Sequence, residues 1–406
     1  MGDRKSYEYL NKLKDKLNTD TLWSWSRYNS YHNDQYGYLL KYIKKVPETQ
    51  KDSIWGISGG IVHDIIERMY LGEISYKDMI TEYEEKLFEM NSMELKYNKI
   101  DKEMNDKISD NYEDSIRHFL LNYKPIEGKV ILEQFVVIKV GNHYFQGYID
   151  FLHKDLEGNY IVEDFKTSTM YTGAKKQNEA KQLLLYSQSL IQKGIPINKV
   201  KLRWNFLKYC TVTSCLFSKD KEGNYKTKDK NCVRSKWIKE SSKNIEKWLK
   251  KEEYDELEIT DMIQTCIENN SLETLPKSIQ DKFSISDCYV YIDLNEDIIN
   301  ELNNEIVETL DKIIENTKTT NILLSQIEGL DKENDKNKIN EINNKIDELW
   351  WTDIDKSKEY YFYNLCSYNR KQHKPWNEYL NDINEFVKEN NKDNEEDGSL
   401  DWLNDL

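Results

Sequence analysis

The sequence predicts an α/β protein in which helices flank a mixed β-sheet. Three strand-like segments rich in β-branched and aromatic residues follow one another from Val130, separated by turns that contain Gly and Asn. A segment with helical periodicity (178–193) and a further strand candidate (200–217) come next. Gly194 and Pro196 predict the end of that helix. Strands that alternate with helices in this way are typical of a sheet covered by helices.

The N-terminal region, residues 1–125, predicts helices that pack on this sheet. Periodic apolar positions indicate three helices and then a polar helical stretch, at residues 7–17, 26–43, 60–70 and up to about 123. Gly59 and Gly60 precede the third helix. We therefore expect that helix to open after them, with His63 in its first turn.

The remaining chain divides by composition into five further regions. We assign 126–217 to a sheet core and 218–291 to a lysine-rich hairpin and helix. We assign 292–350 to a helical hairpin or short antiparallel coiled coil, 351–384 to a segment that returns to the core, and 385–406 to an acidic tail. The lysine run 219–251 is either a solvated surface or a DNA contact. Trp237 and Trp248 are expected to pack rather than to stack on bases. The tail is disordered, docks on a replication or recombination partner through Trp402, Leu403 and Leu406, or covers the DNA groove.

Charge and cysteine content narrow the class of protein. The 406 residues carry 58 Lys and Arg against 73 Asp and Glu, a net charge of −15, which argues against uniform coating by nucleic acid but not against a local basic groove. The six cysteines form no CxxC pair, as is usual in a reducing compartment. The charged N-terminus and the lack of a long apolar run predict neither a signal peptide nor a membrane span. We expect a cytoplasmic protein.

Two neighbouring strand-like segments place two carboxylates and a lysine at one point. The first ends at Asp150, and the second contains Asp164 and Lys166. Alternate residues of a strand share a face, so Asp164 and Lys166 point one way, while Glu163 and Phe165 point the other. If the segments pair as a hairpin, Asp150 comes close to Asp164. Such oxygen ligands suit Mg²⁺ or Mn²⁺.

Side chains from two predicted helices complete this constellation. His63 offers an imidazole as an additional metal ligand. Gln182 and Tyr186, spaced i and i+4, share one helix face and can bind a phosphate or orient Lys166. The set suits metal-assisted hydrolysis of a phosphodiester, in which the ion polarises a phosphoryl oxygen and Lys166 offsets the developing charge.

The order of these motifs resembles the PD-(D/E)XK nuclease superfamily. GxxxH, GYID, EDFKTS and QxxxY occur here in the family's order and on the expected elements, and they are most similar to the branch of RecB-type domains and CRISPR-adaptation exonucleases. The similarity covers about 24–217 and again 353–380. It implies a restriction-endonuclease-like core to which helical segments and a helical hairpin are added.

The resemblance also implies roles for individual residues. His63, Asp150 and Asp164 would bind Mg²⁺ or Mn²⁺, together with the main-chain carbonyl of Phe165, and Lys166 would be catalytic beside the two acids. The remaining implied residues, which would contact DNA or support the site, are Gln182, Tyr186 and, more weakly, the acid Glu133.

One departure from the branch concerns an iron–sulfur cluster that many of its members carry. Asp34 stands at the N-terminal cysteine position, and the C-terminal counterpart keeps Cys366 alone, with His373 near a later ligand position. One thiolate cannot hold a four-cysteine cluster, so we expect none. A zinc site formed by Asp34, Cys366 and His373 is the weaker alternative.

These observations predict a metal-dependent DNA nuclease, an exonuclease on single strands or DNA ends in recombination, repair or replication. The sequence contains no GxxxxGK[ST] motif, so unwinding would need a helicase or another recombination or replication partner. The Asn, Lys, Ile and Glu content suggests an AT-rich genome, such as that of a bacteriophage or a low-GC bacterium. Two alternatives stay open: a DNA-binding or assembly subunit with a vestigial site, and an RNA-directed nuclease.

Overall fold

A seven-stranded mixed sheet runs through the described part of the chain, which comprises residues 4–48, 53–98, 101–350 and Tyr368 of a computed structural model. The strands are β1 (Leu22–Ser24), β2 (Val130–Val140), β3 (His143–Lys154), β4 (Tyr160–Lys166), β5 (Val200–Lys219), β6 (Tyr225–Val233) and β7 (Phe283–Ile292). The mixed sheet flanked by helices confirms the predicted fold class.

The order of the strands places β4 inside the sheet. β3 lies beside β4 and β4 beside β5, with β1 and β2 pairing with β3, and β6 and β7 pairing with β5. The pairs β1–β3 and β4–β5 are parallel, while β3–β4, β5–β6 and β5–β7 are antiparallel. The five middle residues of β4, 161–165, are all buried. A strand covered on both faces in this way holds its side chains in defined positions.

Twelve α-helices occur among the described residues. They are α1 (Tyr7–Leu17), α2 (Trp25–Asn33), α3 (Gln35–Tyr38), α4 (Ile54–Leu71), α5 (Met79–Ser92), α6 (Lys102–Asn122), α7 (Gly173–Ile191), α8 (Trp237–Lys251), α9 (Glu256–Asn269), α10 (Lys277–Gln280), α11 (Glu296–Glu328) and α12 (Lys336–Trp350). Within the described ranges, no helix combines the length and the apolar character needed to cross a bilayer.

The chain forms two compact units. The first contains the described residues of 1–10, 54–138 and 147–300, and the second contains those of 11–53, 139–146 and 301–406. In the first unit, α4, α5 and α6 pack on one apolar cluster that includes Phe151 and Phe165, and α8 and α9 pack on another cluster around β5 and β7. The composition-based division into six regions stays a prediction.

The second unit contains the helical pair expected within 292–350. Buried positions of α11 recur every three or four residues, at Leu302, Ile306, Leu310 and Ile313. Near the other end of α11, Thr320 accepts a hydrogen bond from the Trp350 indole of α12 at 2.8 Å. The Trp350 ring also stacks on Tyr38, with 5.7 Å between the ring centroids.

The helix that carries His63 begins earlier than predicted. α4 starts at Ile54, so Gly59 and Gly60 lie inside it and His63 lies in its middle rather than in its first turn. Each interior glycine costs about 1 kcal/mol relative to alanine. Burial of apolar side chains such as Ile54, Val62 and Ile65 offsets that cost.

Three further element predictions were wrong in part. The helix expected over 26–43 is interrupted at Asp34, whose extended backbone (φ −156°) ends α2 and precedes α3 and a π-helical turn, Leu39–Ile43. α7 begins at Gly173, five residues before the predicted start. Strands β1 and β7 escaped prediction because β1 spans only three residues and the polar residues Ser284, Ser286 and Asp287 interrupt the apolar pattern of β7.

A buried ion pair joins β4 to β5 on the face opposite Asp164. Arg203 donates through Nε to Oε2 of Glu163 at 2.6 Å, and Asn205 donates to Oε1 of Glu163 at 3.2 Å. The guanidinium carbon lies 3.7 Å from the centroid of the Tyr289 ring. Glu163 is 1% exposed and Arg203 8%. This network therefore fixes the register of β4, which carries Asp164 and Lys166, against β5.

We expect Arg203→Met to lower the free energy of unfolding by about 3–5 kcal/mol, because it leaves the Glu163 carboxylate buried and unpaired. The double variant Arg203→Met/Glu163→Gln removes that stranded charge and should recover part of the loss. Urea denaturation of both proteins measures the difference. A double variant no more stable than the single variant would contradict the ion-pair account.

Candidate metal centre

The β3–β4 hairpin brings Asp150 and Asp164 together, as the sequence predicts. The strands pair antiparallel with Phe151 opposite Glu163, so that Asp150 and Asp164 face each other one position farther along. Asp164 is buried at 7% exposure, and the Asp150 side chain is about a quarter exposed, at 27%. Burial and the nearby Asp164 carboxylate raise the pKa of Asp150 well above its usual value. Two acids in this position repel each other unless a cation lies between or beside them.

Lys166 supplies one positive charge to this pair. Its Nζ lies 2.6 Å from Oδ2 of Asp164, two residues earlier on the same face of β4. Burial lowers the pKa of Lys166, but the Asp164 and Asp150 carboxylates outweigh burial and raise it overall. Lys166 is therefore an ammonium at neutral pH, and it can balance only one of the two carboxylates when both are ionised.

His63 reaches the same point from α4. Its Nε2 lies 3.0 Å from the carbonyl oxygen of Phe165, and its Nδ1 lies 3.7 Å from Oδ2 of Asp150. Burial lowers the pKa of His63. The ring is thus neutral at pH 7, which is the form that coordinates metals.

These donors have the chemistry that a divalent cation requires. Two carboxylates, one carbonyl and one imidazole suit Mg²⁺ or Mn²⁺. His63 Nε2 and Phe165 O lie 3.0 Å apart, at hydrogen-bond distance, so both would be available to one bound ion. Oδ2 of Asp164 is buried, and its partner among the described residues is the Lys166 ammonium, 2.6 Å away. No three described His, Cys, Asp or Glu side chains already surround one point as metal ligands would, so the ligand set stays a prediction.

Tyr186 of α7 closes the centre from another side, and Gly147 makes room for it. A Cβ at Gly147 would lie 2.6 Å from the Tyr186 ring, so the glycine lets the phenol cross β3. Burial raises the pKa of Tyr186 to about 12, against a hydrogen bond from Gln182 that lowers it. Both side chains line a small cavity of about 10 Å³ together with Asp150 and Asp164. The structure thus brings Gln182 and Tyr186 to the two acids.

Glu133 lies at the edge of the centre in a strained conformation. Its φ of 44° falls in the left-handed region, which a glutamate seldom adopts. Burial and the nearby Glu67 raise the pKa of Glu133, and Glu133 in turn acts on Asp150. Glu67 and Glu133 also line a cavity of about 860 Å³ between α4 and β2. Strain of this kind often accompanies a functional site.

Glu67 is the neighbour of the centre that sequence reasoning missed. It lies four residues after His63 on α4 and is 9% exposed. The i, i+4 spacing of a histidine and a glutamate is the signal that was available, because it places both on one helix face.

Of the residues considered for a zinc site, only Asp34 can be placed. It is buried at 6% exposure in the second unit, and a Cβ at Gly37 would lie 2.5 Å from its Oδ2. Cys366 and His373 lie outside the described residues. Both the zinc alternative and the expected lack of a cluster therefore stay predictions.

Comparison with known proteins identifies one matching family. A family model described as the PD-(D/E)XK nuclease superfamily matches residues 22–267, more than half of the chain. The match includes His63, Asp150, Asp164 and Lys166, and the strand and helix elements on which they lie. None of the curated proteins matches the chain.

Asp150→Asn should stabilise the metal-free protein, because it removes one of two like charges from a buried site. We expect a higher melting temperature in EDTA than that of the wild type. Asp155→Asn is the matched control in the same hairpin. Asp155 accepts hydrogen bonds from Asn159 and Lys201, so its replacement should lower the melting temperature instead. An Asp150→Asn protein less stable than the wild type would contradict the repulsion.

Gly147→Ala should displace Tyr186, because the added methyl group would overlap its ring. Overpacking of this kind costs about 1–3 kcal/mol of folding free energy. Tyr186→Leu added to Gly147→Ala should restore most of the stability by removing the ring. Thermal unfolding of the two single variants, Gly147→Ala and Tyr186→Leu, and of the double variant tests the contact. A stability loss in the double variant equal to the sum of the two single losses would argue against it.

Proposed function

The chain belongs to the PD-(D/E)XK nuclease superfamily, and we propose that it is a Mg²⁺- or Mn²⁺-dependent deoxyribonuclease that hydrolyses phosphodiester bonds. The observation that supports this best is the meeting of Asp150, Asp164 and Lys166 on paired strands, with His63 against the carbonyl of Phe165. A net negative cluster of oxygen donors beside one ammonium is what a cation and a phosphate together require.

In this proposal the residues divide into ligands and groups that act on the phosphate. His63, Asp150, Asp164 and the carbonyl of Phe165 would hold the ion. When bound, the ion supplies Lewis-acid polarisation of the phosphoryl group. Lys166, held by Asp164, orients the attacking water and offsets the negative charge that develops on phosphorus oxygens.

The helix α7 would position the substrate from the other side. The Tyr186 phenol is protonated at neutral pH because burial raises its pKa to about 12, so its hydroxyl can donate a hydrogen bond to a phosphate oxygen. Gln182 hydrogen-bonds to that phenol and sets its orientation. Glu133, at the edge of the centre, would add negative charge that favours a bound cation.

We further propose exonuclease action on single strands or DNA ends, in recombination, repair or replication. The motif order, which is most similar to the RecB-type and CRISPR-adaptation exonuclease branch, supports this choice. A helicase or recombination partner would supply unwinding, and the protein would act in the cytoplasm of a bacterial or phage-infected cell.

Two other functions would give different results in a cleavage assay on labelled nucleic acid. A DNA-binding or assembly subunit with a vestigial centre would bind labelled DNA without cleaving it at any metal concentration. An RNA-directed nuclease would cleave an RNA strand of the same sequence in preference to DNA.

The test is a digest of end-labelled single-stranded and duplex DNA by the purified chain. We expect cleavage with Mg²⁺ or Mn²⁺ and none in EDTA. Asp164→Asn and Lys166→Met should each lower the rate by about 100-fold or more, since each removes a charge from the reacting phosphate or its ion.

Matched controls come from the loop end of the same hairpin. Glu157→Gln and Lys154→Met make equivalent charge changes at exposed positions and should keep the wild-type rate. Cleavage at the wild-type rate by the double variant Asp164→Asn/Lys166→Met would overturn the proposed centre.

A further inference from the structure

A group of lysine and aromatic side chains lies at the far end of the β5–β6 hairpin. We call Phe217, Lys219, Tyr225, Lys251 and Lys282 the distal patch. Its members come from β5, β6, α8 and the residue that precedes β7, and Phe217, Lys219 and Lys251 are exposed. All five belong to the first compact unit, which also holds the metal centre.

Three ammonium groups of the distal patch converge on one ring. The Nζ atoms of Lys219, Lys251 and Lys282 lie 4.9, 4.9 and 5.0 Å from the centroid of Tyr225. Lys251 also donates to the Tyr225 hydroxyl at 2.8 Å. Three positive charges close together give the patch a positive potential, although the net charge of the whole chain is −15.

Nearby carboxylates do not neutralise the three lysines. Among the described residues, no carboxylate oxygen lies within 4.0 Å of their Nζ atoms. The acids adjacent in sequence are engaged elsewhere. Asp220 accepts from the backbone of its own turn, Glu252 accepts from a serine, and Asp281 pairs with Lys277. The three ammonium groups are therefore not held in direct ion pairs with described carboxylates, so each can still bind a phosphate oxygen.

Phe217 gives the patch an exposed aromatic surface. Its ring stacks on Trp248 with 4.4 Å between centroids, and 46% of the residue remains exposed. Trp248 itself is 3% exposed and donates its indole N–H to the carbonyl of Cys215, as expected for a packing residue. A rigidly backed, exposed ring next to ammonium groups suits a nucleobase beside its phosphate.

The distal patch lies well away from the metal centre. Lys166 is opposite Phe206 on β5, and Phe217 lies eleven residues farther along that strand. At about 3.3 Å per residue the separation along the strand is about 36 Å. A single strand that stays stacked at about 3.4 Å per nucleotide would need about ten nucleotides to reach both sites, and a more extended strand would need fewer.

We propose that the distal patch binds single-stranded nucleic acid, with phosphates on the three lysines and a base stacked on Phe217. An unpaired base is required because the bases of a duplex already stack on one another and cannot reach the ring. The role as a second holding point for a substrate of the metal centre rests on the proposed nuclease function, whereas the binding itself does not.

The test measures binding in EDTA, where no cleavage occurs. The probe is a fluorescent oligothymidylate of about 30 nucleotides, and its dissociation constant is measured over a range of salt. The triple variant Lys219→Gln/Lys251→Gln/Lys282→Gln should bind more weakly. Its plot of log affinity against log salt should be less steep by about 2, since each phosphate contact to a single strand contributes about 0.7.

The matched control is Lys239→Gln/Lys243→Gln/Lys247→Gln, which removes the same charge from exposed positions of α8 outside the patch. It should keep a salt dependence close to that of the wild type. An equal loss in both triple variants, or an equal loss on single strand and duplex by the patch variant, would overturn the assignment.

A second variant separates stacking from charge. Phe217→Leu keeps an apolar cover on Trp248 but removes the aromatic face, and it should weaken single-strand binding by about fivefold or more. If cleavage is detected, the patch variants should lose activity on long strands and keep it on strands of about three nucleotides, which are too short to reach both sites. If both patch variants bind the oligonucleotide as tightly as the wild type, the binding role of the patch is refuted, even where the nuclease is active. If they lose binding, that role is supported, even where no cleavage is detected.

Discussion

The repulsion between Asp150 and Asp164 is the constraint on which the rest of the first unit depends. Antiparallel pairing of β3 and β4 forces the two carboxylates together, and burial raises the pKa of Asp150. Lys166 offsets only part of this charge. Such an arrangement lowers the stability of the fold, and in the proposed nuclease a divalent ion held by the two carboxylates would offset their repulsion.

One face of β4 carries the charged centre, and the other face anchors the strand in the protein interior. Asp164 and Lys166 point to the centre, whereas Glu163 joins a buried network with Arg203, and Phe165 enters the apolar core beneath α4. The strand thus cannot slip by one residue without placing a carboxylate in the core and a phenylalanine in the site. Its carbonyl at Phe165 stays within reach of His63 for the same reason.

Strand parity and motif order made the centre predictable from the sequence, because a hairpin with alternating side chains leaves little freedom to Asp150, Asp164 and Lys166. The edges were less predictable. Sequence periodicity does not reveal that apolar burial carries α4 through three glycines, or that Gly147 is needed beneath the Tyr186 ring. Glu67 and the strained Glu133 depend on contacts between segments far apart in the chain. The same holds for the distal patch, whose lysines come from separate elements.

The most direct measurement is the anomalous diffraction of crystals soaked in Mn²⁺. The account predicts one ion at coordination distance, about 2.1 Å, from carboxylate oxygens of Asp150 and Asp164, from the carbonyl of Phe165 and from Nε2 of His63. Lys166 should lie near the ion but outside its coordination sphere. An ion bound elsewhere in the first unit, or a fully occupied crystal with Asp150 or Asp164 uncoordinated, would contradict the central claim.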